Sequence, residues 1–162
     1  MTTPGREPRI TLEDGVHRVQ PAERDRLLEV WEASVRATHH FLAESDIQFL
    51  TPLVLNGVYS LSHLLCARDH AGVLVAFVGV EGSKMEALFV HPAWRGMGIG
   101  TRLARHVMGT LGVTEVDVNE QNDQAVGFYR RLGFEVIGRS PLDGQGRRFP
   151  LLHMHLVSGE RD

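Results

Sequence analysis

The chain has 162 residues, 43% of them hydrophobic, with a formal net charge of −3. That length suits one domain with a sizeable core, and the slight acidic balance argues against a nucleic-acid binder, which carries a basic surplus. A single cysteine, Cys66, excludes an internal disulfide and suits a reducing cytoplasm; the polar opening Met1–Arg6 does not read as a signal peptide; no run approaches the roughly 18 apolar residues of a membrane span.

Residues 1–14, rich in Pro, Gly and charge, read as a flexible tail, and 15–158 as one domain. Val16 to Val19 alternates like a short strand. Pro21 suits a first helical position, and Leu27, Leu28, Trp31 and Val35 recur at helical spacing, so a helix is predicted over 21–37. Thr38-His39-His40-Phe41 breaks it. Ser45 with Gln48 three residues on is a capping-box pattern for a second helix. Pro52 should kink or end that helix, and Asn56-Gly57 marks a stop. Strands are predicted over 63–68, 73–80 and 85–90, separated by Asp69-His70-Ala71-Gly72 and Glu81-Gly82-Ser83 turns, which makes an antiparallel meander.

Leu103, Ala104, Val107, Met108 and Leu111 form the stripe of a third helix. A strand over 113–119 follows, then a helix over 123–132 closed by Gly133. Strands over 134–139 and 151–157 end the chain, joined by a long polar connection. The order is β-α-α-β-β-β-α-β-α-β-β. From Met85 to Asn119, strand, loop, helix and strand make a right-handed crossover that sets two strands parallel. The expected class is α/β (α+β): a mixed, mostly antiparallel sheet of six to seven strands with four helices on both faces.

Arg95-Gly96-Met97-Gly98-Ile99-Gly100-Thr101 follows the strand ending at Val90 and opens the third helix. Glycines accept positive φ and let a backbone approach an anion closely. Successive amides in such a loop form a nest, and the helix start adds unpaired N–H groups and the positive dipole end. A pyrophosphate fits there without lysines; Lys84 is the only one in the chain. A P-loop ends in Gly-Lys-Ser/Thr, which Gly100-Thr101-Arg102 fails. A dinucleotide fingerprint has Gly-x-Gly-x-x-Gly, and these glycines have the wrong spacing. A plain glycine turn is the structural alternative.

The run Leu88-Phe89-Val90-His91-Pro92-Ala93-Trp94-Arg95-Gly96-Met97-Gly98-Ile99-Gly100 resembles the acetyl-CoA loop of the GCN5-related N-acetyltransferase (GNAT) superfamily. The resemblance implies that Leu88, Phe89 and Val90 meet the pantetheine arm. It implies that Arg95, Gly96, Met97, Gly98, Ile99, Gly100 and Thr101 cradle the phosphates. Asn119 to Phe134 resembles the superfamily's second motif. By that likeness Asn122 is a coenzyme contact as well as a helix cap, and Ala125 and Phe128 wall the thiol end, where core packing is the alternative. Trp31 to Leu42, with Arg147 to Leu152, resembles the small bacterial YjaB-type acetyltransferases over nearly the whole chain.

The chemistry needs an acid and a base. A thioester expels a thiolate whose thiol has a pKa near 8.5, and the superfamily's tyrosine at the position of Tyr129 assists it; a half-buried packing residue is the alternative. The attacking amine must lose a proton. Glu86, on the strand leading into the loop, is one candidate base, a solvent-facing strand residue being the alternative. His39 is the other, chosen over His40 for its place beside Thr38, since neutral imidazole suits that task near pH 7. His153 and His155 share a strand face but lack a third ligand, so no metal is expected. Cys66 has no adjacent histidine, which disfavours an acyl-cysteine route.

The resemblance thus implies an acetyl-CoA-dependent N-acetyltransferase acting on a primary amine by direct attack in a ternary complex. The alternative is a non-catalytic acyl-CoA sensor on the same fold. A small-molecule or peptide amine is the expected acceptor, with no nucleic-acid or membrane partner; monomer and homodimer both fit, and the expected compartment is the cytoplasm.

Overall fold

A computed structural model describes residues 15–157; the expected tail over 1–14 lies outside the described residues. Seven strands and four α-helices follow one another in the predicted order. They are β1 (His17–Arg18), α1 (Arg24–Thr38), α2 (Glu44–Tyr59), β2 (His63–Arg68), β3 (Leu74–Glu81) and β4 (Lys84–Val90), then α3 (Ile99–Leu111), β5 (Glu115–Asn119), α4 (Asp123–Leu132), β6 (Phe134–Ser140) and β7 (Leu151–Leu156). The strands form one sheet in the order β1-β2-β3-β4-β5-β7-β6. Every junction is antiparallel except β4–β5.

The interior strand β3 reads Leu-Val-Ala-Phe-Val-Gly-Val and is buried through Val80. Such a continuous apolar run needs cover on both faces. On one face, Leu27, Trp31 and Val35 of α1 and Ile47 and Val58 of α2 pack on Cys66, Phe77 and Ala87. On the other, Leu103 and Val107 of α3 and Tyr129 and Leu132 of α4 pack on Val78, Val116 and Met154. Cys66 is fully buried, and burial pushes its thiol pKa up to about 12, which keeps it protonated and inert.

The second helix departs from expectation at both ends. Its N-cap is Ala43, not a residue inside a Ser45–Gln48 box, and the Asp46 carboxylate accepts the Ala43 N–H at 2.8 Å. Pro52 neither ends nor caps it, and the helix runs through Asn56-Gly57 to Tyr59. The reason lies in which side faces water. Gln48, whose carbonyl loses its donor to Pro52, is exposed, as are Pro52, Asn56 and Gly57. The opposite side carries Ile47, Leu50, Val54 and Val58 into the core, so burial outweighs the local stop signals.

Candidate functional site

The parallel junction is short. Only Lys84–Glu115 and Met85–Val116 pair across β4 and β5. Just beyond, β4 carries a bulge: Val80 opposes Met85 while Gly79 opposes Ala87, leaving Glu86 as the extra residue. A bulge bends its strand and re-aims a side chain. From this point β4 and β5 no longer pair, and a cavity of about 710 Å³ opens between them. Glu86 is exposed and lines it.

The glycine loop forms one end of the cavity. Gly96 and Gly98 both take φ of +78°, and Gly98 is the N-cap of α3. No carbonyl among the described residues accepts the backbone N–H groups of residues 96–101. These amides, with the positive end of α3, suit a diphosphate by their donor chemistry alone. Gly100 lets α3 approach closely, because an added Cβ would already touch Val90 and Phe128 at 3.5 and 3.7 Å. Arg95 donates to Gln124 of α4 at 3.3 Å and so ties the loop to the opposite wall. Of the seven loop residues singled out in sequence, Met97 does not line the cavity; it is 52% exposed.

The opposite wall comes from α4, whose limits match the prediction because its signals are local. Asn122 Oδ1 accepts the Ala125 N–H at 3.2 Å at one end, and Gly133 takes φ of +107° at the other. Asn122, Ala125, Phe128 and Tyr129 line the cavity with Leu88, Phe89 and Val90 of β4. The Tyr129 ring is edge-on to Phe128 and Phe134, and burial raises its pKa, so the phenol stays protonated. His39, the C-cap of α1, enters the cavity from the other face of the sheet beside Thr38. Its Nε2 is 3.3 Å from Asn122 Nδ2 and its Nδ1 is 2.9 Å from Thr38 Oγ1. Burial first, then the charges of Arg95 and His40, lower its pKa to about 4.

Other lining residues were not singled out in sequence. Trp94 lines the cavity with a buried indole N–H that has no partner among the described residues. Asp117 of β5 lines it too, held by Lys84 at 2.5 Å and by His153 at 2.7 Å, with Ser140 at 2.7 Å from the far nitrogen of His153. Burial pushes the Asp117 carboxyl up, but the Lys84 and His153 hydrogen bonds outweigh it and leave the pKa lowered. Trp94 sits inside the loop motif, so its position was readable. Asp117 is one of several acidic strand residues, and only pairing across β4, β5 and β7 distinguishes it. His153 is thus turned toward Asp117 while His155 is exposed; no group of three or more His, Cys, Asp or Glu among the described residues is arranged to hold a metal.

The comparisons with known proteins converge. The family profile of the Acetyltransferase (GNAT) domain matches residues 60–136. The peptidyl-lysine N-acetyltransferase YjaB of Salmonella typhimurium is 37% identical over 139 residues, covering 86% of this chain and 95% of that one. The solution structure of apo-form YjaB from Escherichia coli superposes with a TM-score of 0.81 at 35% identity, covering 93% of this chain and 99% of that one. The fold alone is shared with yncA of Salmonella typhimurium, solved with its cofactor acetyl-CoA, at a TM-score of 0.63 and 19% identity, over 90% and 94% of the two chains.

Proposed function

This chain belongs to the GNAT superfamily of N-acetyltransferases, and from that premise we propose that it moves the acetyl group of acetyl-CoA onto a primary amine by direct attack in a ternary complex. The observation that carries the reading is the run of amides at 96–101 that no carbonyl among the described residues accepts, set at the mouth of a cleft that Glu86 and Tyr129 both line. Acetyl-CoA, when bound, supplies the acetyl group as a thioester. The free amides and the α3 dipole bind its diphosphate. The edge of β4 beyond Met85, left unpaired on the β5 side, receives the pantetheine arm along Leu88, Phe89 and Val90. A backbone N–H near Val90 stabilises the oxyanion of the attacked carbonyl.

Glu86 takes the proton of the attacking amine, directly or through water. A lysine-like amine has a pKa near 10.4, so only about one molecule in 10³ is neutral at pH 7 without help. Tyr129 donates a hydrogen bond to the departing sulfur. A phenol whose pKa lies above that of a thiol, near 8.5, does not give its proton away fully; it stabilises the thiolate while charge develops, and the released thiolate takes its proton from solvent. The name of the YjaB relative supports a lysine side chain of a polypeptide as the acceptor here.

The test is turnover. Purified protein is incubated with acetyl-CoA and either a lysine-containing peptide or a panel of small amines, following thiol release and the acetylated product by mass. Product with the peptide supports the reading. Tight acetyl-CoA binding without turnover on any acceptor would make the protein a sensor instead.

A further inference from the structure

His39 and Asn122 stand 83 positions apart, one closing α1 and the other opening α4. The hydrogen bonds between them fix the role of each polar atom. Asn122 Oδ1 accepts the Ala125 N–H, so the other end of its amide, Nδ2, is the donor. The atom it meets is His39 Nε2, at 3.3 Å, which therefore accepts. The ring proton then sits on Nδ1 and donates to Thr38 Oγ1 at 2.9 Å. The Thr38 hydroxyl in turn donates a hydrogen bond to the Ser34 carbonyl, also at 2.9 Å. Only a neutral imidazole fits this chain. A protonated ring would set two donors face to face at Asn122.

Asn122 is one of two buried polar residues of the described core. A buried amide that can rotate puts either its oxygen or its nitrogen on the start of α4, and only the oxygen caps the helix. We propose that His39 is a positioning residue of the donor site: it fixes the Asn122 amide with its oxygen on α4, and so sets the cleft wall that receives acetyl-CoA. The inference rests on the acetyl-transfer reading above. It also gives His39 a different task from the proton acceptor expected from its place in the sequence, because both ring nitrogens are engaged. The low pKa from burial agrees, since it keeps the ring neutral through the physiological range.

The test compares wild type with His39→Ala and His39→Gln. Glutamine keeps an oxygen that can accept from Asn122. Nitrogen-15 spectra of the wild-type imidazole should show the neutral tautomer with the proton on Nδ1 at pH 7. Calorimetry with acetyl-CoA should show affinity about 10-fold weaker for His39→Ala, and largely restored in His39→Gln. The KM for acetyl-CoA should rise with it, while kcat at saturation falls far less. Wild-type affinity in a folded His39→Ala protein, or a ring that is charged or protonated on Nε2 at pH 7, would overturn the proposal. If His39→Ala does not fold, the glutamine variant and the tautomer decide. If wild type binds no acetyl-CoA at all, the acetyl-transfer reading falls first, and the tautomer alone still judges the His39–Asn122 link.

Discussion

Arg147, in the connection between β6 and β7, donates to the Asp46 carboxylate at the start of α2. The same carboxylate accepts the Ala43 N–H, and these two bonds hold its pKa below the usual range, the backbone bond contributing most. The Arg147 guanidinium also lies over the Phe49 ring at 4.4 Å, and Phe149 packs on Phe41 at 5.8 Å. The β6–β7 connection is therefore fastened to the α1–α2 turn that carries Thr38 and His39 to the cavity. Replacing Arg147 by Met removes the charge and keeps the length. Acetyl-CoA affinity should change far less than in His39→Ala, since the bonds of His39 to Asn122 and Thr38 do not involve Arg147, while the KM of the acceptor should rise severalfold. Steady-state kinetics with each substrate varied in turn checks this.

Gly98 tests the diphosphate site. Its φ of +78° lies where side chains other than glycine are strained, although an added Cβ would meet nothing within 4 Å. The backbone conformation, not the space, requires glycine there. In Gly98→Val the loop must rotate and turn its amides away from the ligand. Acetyl-CoA affinity should fall by at least about 10-fold with the circular dichroism spectrum retained. Wild-type affinity in the folded variant would remove the loop from the coenzyme site.

What could be read in the sequence was local. The span of α4 follows from Asn122 and Gly133 because a cap and a left-handed terminus act within one turn. The end of α2 could not be read, because Pro52 and Asn56-Gly57 are genuine stop signals overridden by Ile47, Leu50, Val54 and Val58 meeting α1 and the sheet. The glycine loop was legible because its chemistry lies in one continuous stretch. The bulge at Glu86 was not, since it exists only in the register of β4 against Gly79 and Val80. The same holds for His39 and Asn122, which the fold brings together from opposite faces of the sheet.

Glu86 is placed to test the base. Glu86→Gln keeps the shape of the side chain and removes its proton affinity. If Glu86 takes the amine proton, kcat should fall by roughly 10²- to 10⁴-fold at pH 7, with acetyl-CoA binding almost unchanged. The loss should shrink at higher pH, where more of the amine is already neutral. A variant with full activity at pH 7 would make Glu86 a solvent-facing strand residue.

The pH dependence of stability follows from His39. Its pKa is 6.5 in an unfolded chain and about 4 when folded. Between those values the unfolded chain binds a proton that the folded chain does not, so stability rises with pH across that window. The contribution is complete above about pH 6.5 and is lost as pH falls toward 4. Melting temperatures between pH 7 and pH 5 should fall more steeply for wild type than for His39→Gln, which has no titrating ring. Equal slopes would mean that the ring titrates normally when folded.

Tyr129 separates binding from chemistry. Tyr129→Phe removes only the hydroxyl, and the ring keeps its edge-on contacts with Phe128 at 5.2 Å and Phe134 at 5.9 Å. The melting temperature should therefore shift little. If the hydroxyl stabilises the departing thiolate, kcat should fall by roughly 10-fold or more while acetyl-CoA binding changes less. The effect should shrink with an acyl donor whose thiol has a lower pKa, because that thiolate needs less help to leave. The comparison must be made where chemistry limits the rate, which single-turnover measurements establish. If kcat is unchanged there, Tyr129 is a packing residue of α4, and the thiolate leaves without its help.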